Sequence, residues 1–125
     1  MTKDELKQRT KLFALAIIKI VDELPTTKAG NAIGSQLIRS GTSVAANYRS
    51  ALRGRSSADF ISRITIVEEE CDETLFWLEL INDSMLIKTQ RLLVILNEAK
   101  ELTAIFTSTG KTSRLHNQKS FSVKK

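Results

Sequence analysis

Residues 57–83 read SADFISRITIVEEECDETLFWLELIND, and the spacing of their apolar side chains decides the fold. The spacing alternates between four and three residues along seven positions: Phe60, Ile64, Val67, Cys71, Thr74, Leu78 and Ile81. This is the period of one face of an α-helix, whereas a half-buried strand would alternate at every second residue. Ser56, followed three residues later by Asp59, predicts the start of this helix. The segment therefore predicts a helix of about 40 Å with one continuous buried face.

Apolar residues at helical spacing predict three further helices, at about 5–24, 28–54 and 88–109. Pro25 ends the first helix, because the residue before a proline is pushed out of the helical region. Gly110 is expected to close the last one. Because the connections are short, consecutive helices should be antiparallel neighbours. The sequence predicts an all-α fold, an up-down-up-down four-helix bundle over residues 1–110.

The last fifteen residues differ from the rest in charge. Residues 111–125 contain five cations and no acid, which equals the whole net charge of +5: Lys111, Arg114, Lys119, Lys124 and Lys125. The segment has little to bury and is expected to be a disordered, flexible basic tail. Such a tail can bind nucleic acid or serve only solubility, and the sequence leaves both readings open.

Charge is also segregated within the predicted bundle. Residues 28–63 contain six basic side chains and one acid, whereas residues 64–83 contain seven acids and no base. On a helical wheel, four cations of the second helix lie opposite its apolar face: Lys28, Arg39, Arg49 and Arg53. Arg55 follows directly after this helix. A cationic strip suits a phosphate backbone, which needs charge and hydrogen-bond donors. The alternative is that these arginines pair with the acidic half of a neighbouring helix or subunit.

The third helix has a second row of residues beside its apolar face: Ile66, Glu70, Glu73, Trp77 and Leu80. A bundle helix needs one apolar face to close its own core. Because tryptophan is enriched at interfaces, the row is a candidate interface between subunits of a homo-oligomer. Alternatively, Trp77 widens the internal core.

Four residues are expected to be structural. Ser43 and Asn47 lie one turn apart beside the apolar face of the second helix, where a polar residue can fix helix register. Tyr48 and Cys71 belong to apolar stripes. A lone cysteine that forms no internal disulfide agrees with a reducing compartment. The charged N-terminus and the lack of a long apolar run favour a cytoplasmic protein with no membrane association.

The sequence lacks the usual signs of an enzyme. Glu70 and Glu73 have the spacing of a bundle metal site, but no histidine follows, and His116 lies in the tail. No glycine-rich phosphate loop is present, and Cys71 lies on an apolar face. We therefore expect a non-enzymatic protein with no cofactor and no metal.

Two runs carry a resemblance to a known family. The run QLIRSGTSVAANYRSA begins at Gln36, and SSADFISRITIVEEECDETLFWLELI begins at Ser56. They resemble the "four helix bundle protein" family, which includes proteins encoded within intervening sequences of bacterial 23S ribosomal RNA genes. The resemblance covers about residues 10–110. Its signature positions here are Arg39, Ser43, Asn47, Tyr48, Glu70, Glu73 and Trp77.

The resemblance implies a bundle that assembles as a ring-like homopentamer. It also implies similarity to the accessory protein of diversity-generating retroelements, a basic barrel that binds nucleic acid and a reverse transcriptase. No catalytic residue is implied. The chain departs from the family in the acidic run Glu68–Glu70, where many relatives have a lysine beside the glutamate. This leaves the arginines of the second helix and the basic tail as the expected contacts with RNA or DNA. The alternative function is an oligomeric scaffold for protein interactions, in which the arginines form ion pairs between subunits.

Overall fold

The chain forms four α-helices in a computed structural model, which describes the backbone of residues 1–123 and the side chains of residues 1–118. The helices are α1 (Lys3–Glu23), α2 (Lys28–Ala51), α3 (Ser57–Asp83) and α4 (Gln90–Val123). Each helix packs on the next one along the chain, and α4 returns to contact α1. Within the described residues there is no strand. The predicted class, an up-down-up-down four-helix bundle, is confirmed.

Side chains at the helix starts explain where α1 and α3 begin. The Ser56 hydroxyl accepts a hydrogen bond from the Asp59 amide at 3.1 Å, as the sequence predicts. The Asp59 carboxylate accepts from the Arg55 amide at 3.3 Å, one residue earlier than in a standard capping box. Thr2 and Glu5 form a full capping box that starts α1 at Lys3, two residues before the predicted start.

The apolar stripe of α3 lies in the centre of the core. Six of its seven predicted positions are at most 2% exposed, and only Phe60, in the first turn, is half-buried. Burying a large aliphatic side chain, such as those of isoleucine and leucine, contributes about 1.5–3 kcal/mol to the free energy of unfolding. On α2 the buried residues include Leu37, Val44 and Tyr48, and on α4 they include Leu102 and Phe106. The stripes that the sequence predicts are therefore the stripes that hold the bundle together.

A glycine lets α1 and α2 approach each other closely. Gly41 is buried, and a Cβ atom built on it would lie 2.8 Å from both Cγ1 and Cγ2 of Ile17. Carbon atoms in good packing are about 3.5–4.0 Å apart. Gly41 therefore sets the distance between these two helices, although it lies in mid-helix, where glycine costs about 1 kcal/mol relative to alanine.

Contrary to the prediction from the sequence, the fourth helix does not end before Gly110. It continues to Val123, so residues 111–123 are helical and extend the bundle. No glycine in the described chain has positive φ, so Gly110 is not the left-handed cap that ends many helices. Gly110 is instead buried under the carboxylate of Glu68, which pairs with Arg114 at 3.0 Å. This ion pair joins the extension of α4 to α3. The second helix, in contrast, ends at Ala51, three residues before its predicted end at Gly54.

Antiparallel packing collects basic residues from three parts of the sequence at one end of the bundle. We define the basic end as residues 1–11, 45–66 and 108–118, which contain ten lysines and arginines and three acids. Two of these cations pair with acids outside the ranges, Arg9 with Glu98 and Arg114 with Glu68. The start of α1, the end of α2, the start of α3 and the extension of α4 meet there. The charge is thus concentrated by the topology, since no single helix contributes more than four of these cations.

Candidate nucleic-acid interface

A groove between α1 and α2 brings cations from both helices together at the basic end. Its volume is about 600 Å³, and its charged lining consists of Lys7, Lys11 and Arg49 with a single acid, Asp4. Between these side chains lie Ala45 and Ala46. Because alanine is small, a phosphate group can come close to the helix surface there. We call this groove the cationic groove.

The spacing of the cations explains how the groove forms. Lys7 and Lys11 are four residues apart and so share one face of α1. Arg49 lies on the face of α2 that meets this side of α1, as its place in the groove shows. All three side chains are exposed. Among residues 1–118 no acid lies within 4.0 Å of their charged nitrogens, so their charges are available to a ligand.

The other cations predicted on or after α2 fall in different places. Arg53 and Arg55 are exposed at the basic end, in the connection that leads to α3. They extend the positive surface that Arg49 begins. Lys28 is exposed in the first turn of α2, at the opposite end of the bundle. The structure therefore groups Arg49, Arg53 and Arg55 and leaves Lys28 apart.

Arg39 is held within the chain rather than presented to a phosphate. One guanidinium nitrogen lies 3.2 Å from a Glu70 carboxylate oxygen, and the other donates to Glu73. The indole nitrogen of Trp77 also donates to Glu73, at 3.4 Å. The hydrogen bond from Arg39 lowers the pKa of Glu73, against a smaller opposing effect of burial. We call these four residues the signature cluster. They join α2 to α3, so Arg39 is paired within the chain, and its role as a nucleic-acid contact stays a prediction.

The row predicted as a subunit interface faces α2. Its members are all half-buried: Ile66, Glu70, Glu73, Trp77 and Leu80. Glu70 and Glu73 meet Arg39 there, and Trp77 is held through Glu73. Trp77 packs partly against the core, and the role of the row as a subunit interface stays a prediction. The ring of Phe76, next to it, points out to solvent with 52% of the residue exposed.

The cations of the predicted tail lie along the extension of α4. Arg114 pairs with Glu68, and Lys111 is exposed. The side chain of Lys119 and the residues Lys124 and Lys125 lie outside the described part of the structure. Of the tail cations that can be placed, Lys111 therefore adds an unpaired charge to the basic end, while Arg114 is committed to α3.

The residues expected to be structural lie in or beside the core. The amide of Asn47 donates to the carbonyl of Ser43, one turn earlier, at 2.9 Å. Tyr48 packs edge-on against Phe106, with ring centroids 5.1 Å apart, and its burial raises its pKa. Cys71 is 2% exposed, and burial is the main reason that its pKa rises to about 12. The thiol is therefore protonated at neutral pH.

Sequence reasoning did not identify Lys7 and Lys11 as site residues. Their four-residue spacing was visible, but a wheel of α1 alone shows only a charged outer face. The groove appears when the rotation of α1 against α2 is known, and Gly41 packing on Ile17 sets that contact. Among the described residues, no group of three or more histidine, cysteine or acidic side chains is placed to hold a metal ion. None of the described helices is both long and apolar enough to cross a membrane.

Comparisons with known proteins agree with the fold. The family model described as "23S rRNA-intervening sequence protein" matches residues 2–108. A solved structure from Bacteroides thetaiotaomicron, described as a protein with unknown function from the S23 ribosomal protein family, is similar over 89% of this chain and 99% of its own. The two sequences are 32% identical, and the TM-score is 0.79. No curated protein matches significantly.

Proposed function

We propose that this chain, which belongs to the 23S rRNA-intervening sequence protein family, is a non-enzymatic homo-oligomer. We further propose that it binds RNA or DNA through phosphate contacts. Binding would have little sequence preference. The family resemblance favours a pentamer. We also propose a cytoplasmic location, which the single buried and unbridged cysteine supports.

The cationic groove is the observation that carries the proposal. Three side chains with no acidic partner converge there from two helices, against one acid. Lysine and arginine that neutralise phosphates release condensed counterions, and this supplies most of the free energy of non-specific binding. Arg53, Arg55 and Lys111 continue the positive surface around the same end. The lining of the groove is dominated by cations and alanines, with Gln8 and Thr42 as its uncharged polar side chains, so it suits contacts with phosphates more than the reading of a sequence.

Oligomerisation would strengthen a weak site. One groove with three cations makes few phosphate contacts, and a short patch of this kind binds in the weak, non-specific range. Several grooves on one particle would engage the same strand, and each further contact would then be intramolecular. A ring of subunits therefore converts a modest surface into a useful affinity for a long RNA or DNA.

The test is a double substitution in the groove, Lys11→Gln with Arg49→Gln. Fluorescence anisotropy with a mixed-sequence single-stranded RNA should show weaker binding, and the slope of log K against log salt should decrease by about two phosphate contacts. The matched control is Lys88→Gln with Lys100→Gln, which removes the same charge from exposed positions outside the groove. The control should retain most of the slope. An unchanged affinity and slope in the groove variant would refute this site.

The same variants also test the scaffold alternative. Size exclusion coupled to light scattering reports the mass of the particle with and without RNA. If the groove variant loses its oligomeric state while the salt slope of RNA binding per chain is unchanged, Arg49 is an interface residue and the phosphate assignment fails. If the oligomer remains intact and only RNA binding weakens, the groove is the phosphate site.

A further inference from the structure

One exposed aromatic side chain is surrounded by acidic residues of the same helix. Phe76 is 52% exposed on the outer face of α3, and its helical neighbours at minus seven, minus four, minus three, plus three and plus seven are all acidic. They are Glu69, Asp72, Glu73, Glu79 and Asp83; Glu73 is paired with Arg39, and the other four are exposed. Residues 64–83 contain no base. Exposed aromatic rings at the centre of a charged rim are typical of interaction sites. We call Phe76 with these acids the acidic knob.

A complementary surface lies between α1 and α4. This second groove has a volume of about 430 Å³, and its walls include Leu12, Leu15 and Val94. Leu12 is 55% exposed and Val94 is 62% exposed, which is unusual for apolar side chains that lie side by side. The charged residues that line it are the cations Lys19 and Arg91, of which Arg91 pairs with Glu23 at the end of α1. We call it the apolar groove.

We propose that the acidic knob of one copy of this chain docks in the apolar groove of the next copy. This inference rests on the homo-oligomer of the proposed function and assigns its interface. The knob lies on α3 and the groove between α1 and α4, so the two surfaces do not overlap. A contact between different surfaces of identical subunits is head-to-tail, and it closes into a ring when the rotation allows.

Charge and size both favour a second copy as the occupant. Lys19 gives the lining of the groove an uncompensated positive charge, since Arg91 is paired with Glu23, and the rim of the knob is acidic, so opposite charges meet across the contact. The space is ample for one aromatic ring, since a cavity of about 150 Å³ holds benzene. Burying Phe76 against Leu12 and Val94 would remove the most exposed apolar side chains of both surfaces from water at once.

Trp77 provides a reporter for the contact. It is the only tryptophan of the chain, and its ring centroid lies 5.1 Å from that of Phe76. When a groove covers Phe76, water near the indole should be displaced and the emission should shift to shorter wavelength. A substitution in the apolar groove lies on other helices, so it can change Trp77 emission only by releasing the knob of a neighbouring copy.

The experiment uses two single-sided variants of the full chain: Phe76→Gln for the knob, and Leu12→Gln with Val94→Gln for the groove. Glutamine keeps a high helix propensity, and the positions are exposed, so the fold should survive. Each variant should associate at least about tenfold more weakly than the wild-type chain in light scattering. Leu115→Gln is the matched control, because Leu115 is 50% exposed on α4 outside both surfaces, and it should assemble as wild type does.

Mixing the two variants gives the decisive result. One intact knob and one intact groove remain in the mixture on different chains, so a two-chain particle should form where each variant alone is monomeric. The groove variant alone should show red-shifted Trp77 emission, and adding the knob variant should reverse the shift. A mixture that stays monomeric, or variants that assemble like wild type, would refute this interface. Neither result would refute the homo-oligomer of the proposed function. A wild-type chain that is monomeric would overturn both the interface and the oligomer of the proposed function.

Discussion

Replacing Gly41 by alanine should push α1 away from α2. The added Cβ would lie 2.8 Å from Cγ1 and Cγ2 of Ile17 and 3.2 Å from its Cβ. Ile17 is fully buried, and a β-branched side chain in a helix has one strongly preferred rotamer. Rotation about χ1 cannot relieve the contact, because both γ-carbons are equally close. The helices must therefore separate by about half an ångström or more to restore ordinary carbon–carbon distances.

The expected cost follows from two opposing effects. Forcing an extra methyl group into a packed core costs about 1–3 kcal/mol. Alanine in mid-helix is favoured over glycine by about 1 kcal/mol. We expect Gly41→Ala to lower the free energy of unfolding by up to about 2 kcal/mol, the difference between these effects. In an Ile17→Ala background the γ-carbons are absent, so the same substitution should stabilise the protein by up to about 1 kcal/mol.

Urea unfolding followed by circular dichroism measures these differences, at one fixed protein concentration because assembly would add to the apparent stability. Gly34→Ala is the matched control in the same helix. Its Cβ would meet the flexible tip of Leu24 at 3.2 Å, so it should be neutral or slightly stabilising. If Gly41→Ala is as stable as Gly34→Ala, the close approach does not limit the packing of α1 on α2. A destabilisation of the same size in the Ile17→Ala background would contradict the assignment to Ile17.

Three further predictions follow from other contacts. Arg39→Gln should destabilise the chain at neutral pH, and the difference in stability from wild type should disappear as the pH falls. The folded-state pKa of Glu73 lies below the ordinary value of 4.5. The ionised Glu73 therefore stabilises the fold above pH 4.5, and this contribution is lost as the pH falls through the folded-state pKa. Unfolding measured between about pH 3 and pH 7 would show this, and a pH-independent difference would refute it. Cys71 should not react with an aromatic disulfide reagent near pH 8 until the chain is unfolded, because it is buried and its pKa is about 12; rapid native labelling would contradict this. Gly110→Ala should displace the Glu68 carboxylate, so the backbone amides after Gly110 should exchange with deuterium faster, and unchanged exchange would show that this contact does not hold the extension of α4.

The fold could be predicted because its determinants are local. The alternation of four and three residues from Phe60 to Ile81 fixes which face of α3 is buried, and the structure follows it at six of seven positions. Ser56 and Pro25 mark helix ends through effects that reach only a few residues along the chain. Such local signals can be recognised in the sequence without knowing which elements pack against the helix.

The candidate site could be predicted only in part, because it depends on how helices are rotated against one another. The wheel of α2 placed Arg39 and Arg49 on one outer arc. In the bundle Arg39 leans toward α3 and is paired, whereas Arg49 leans toward α1 and meets two lysines. Gly110 was equally ambiguous, since glycine serves both as a helix cap and as a place of close contact. Only the position of Glu68 decides between them.

The basic end also makes the molecule a strong electric dipole. Ten cations and three acids are collected there, whereas residues 12–44 and 67–107 contain six cations and eleven acids. A polyanion therefore attracts one end of the bundle and repels much of the rest, so the chain would turn to present the basic end before the surfaces touch. The torque acts over about one Debye length, roughly 8 Å at physiological ionic strength. Salt should consequently slow the encounter with RNA or DNA as well as weaken the complex, and the separation of charge along the bundle adds to the effect of the net charge of +5.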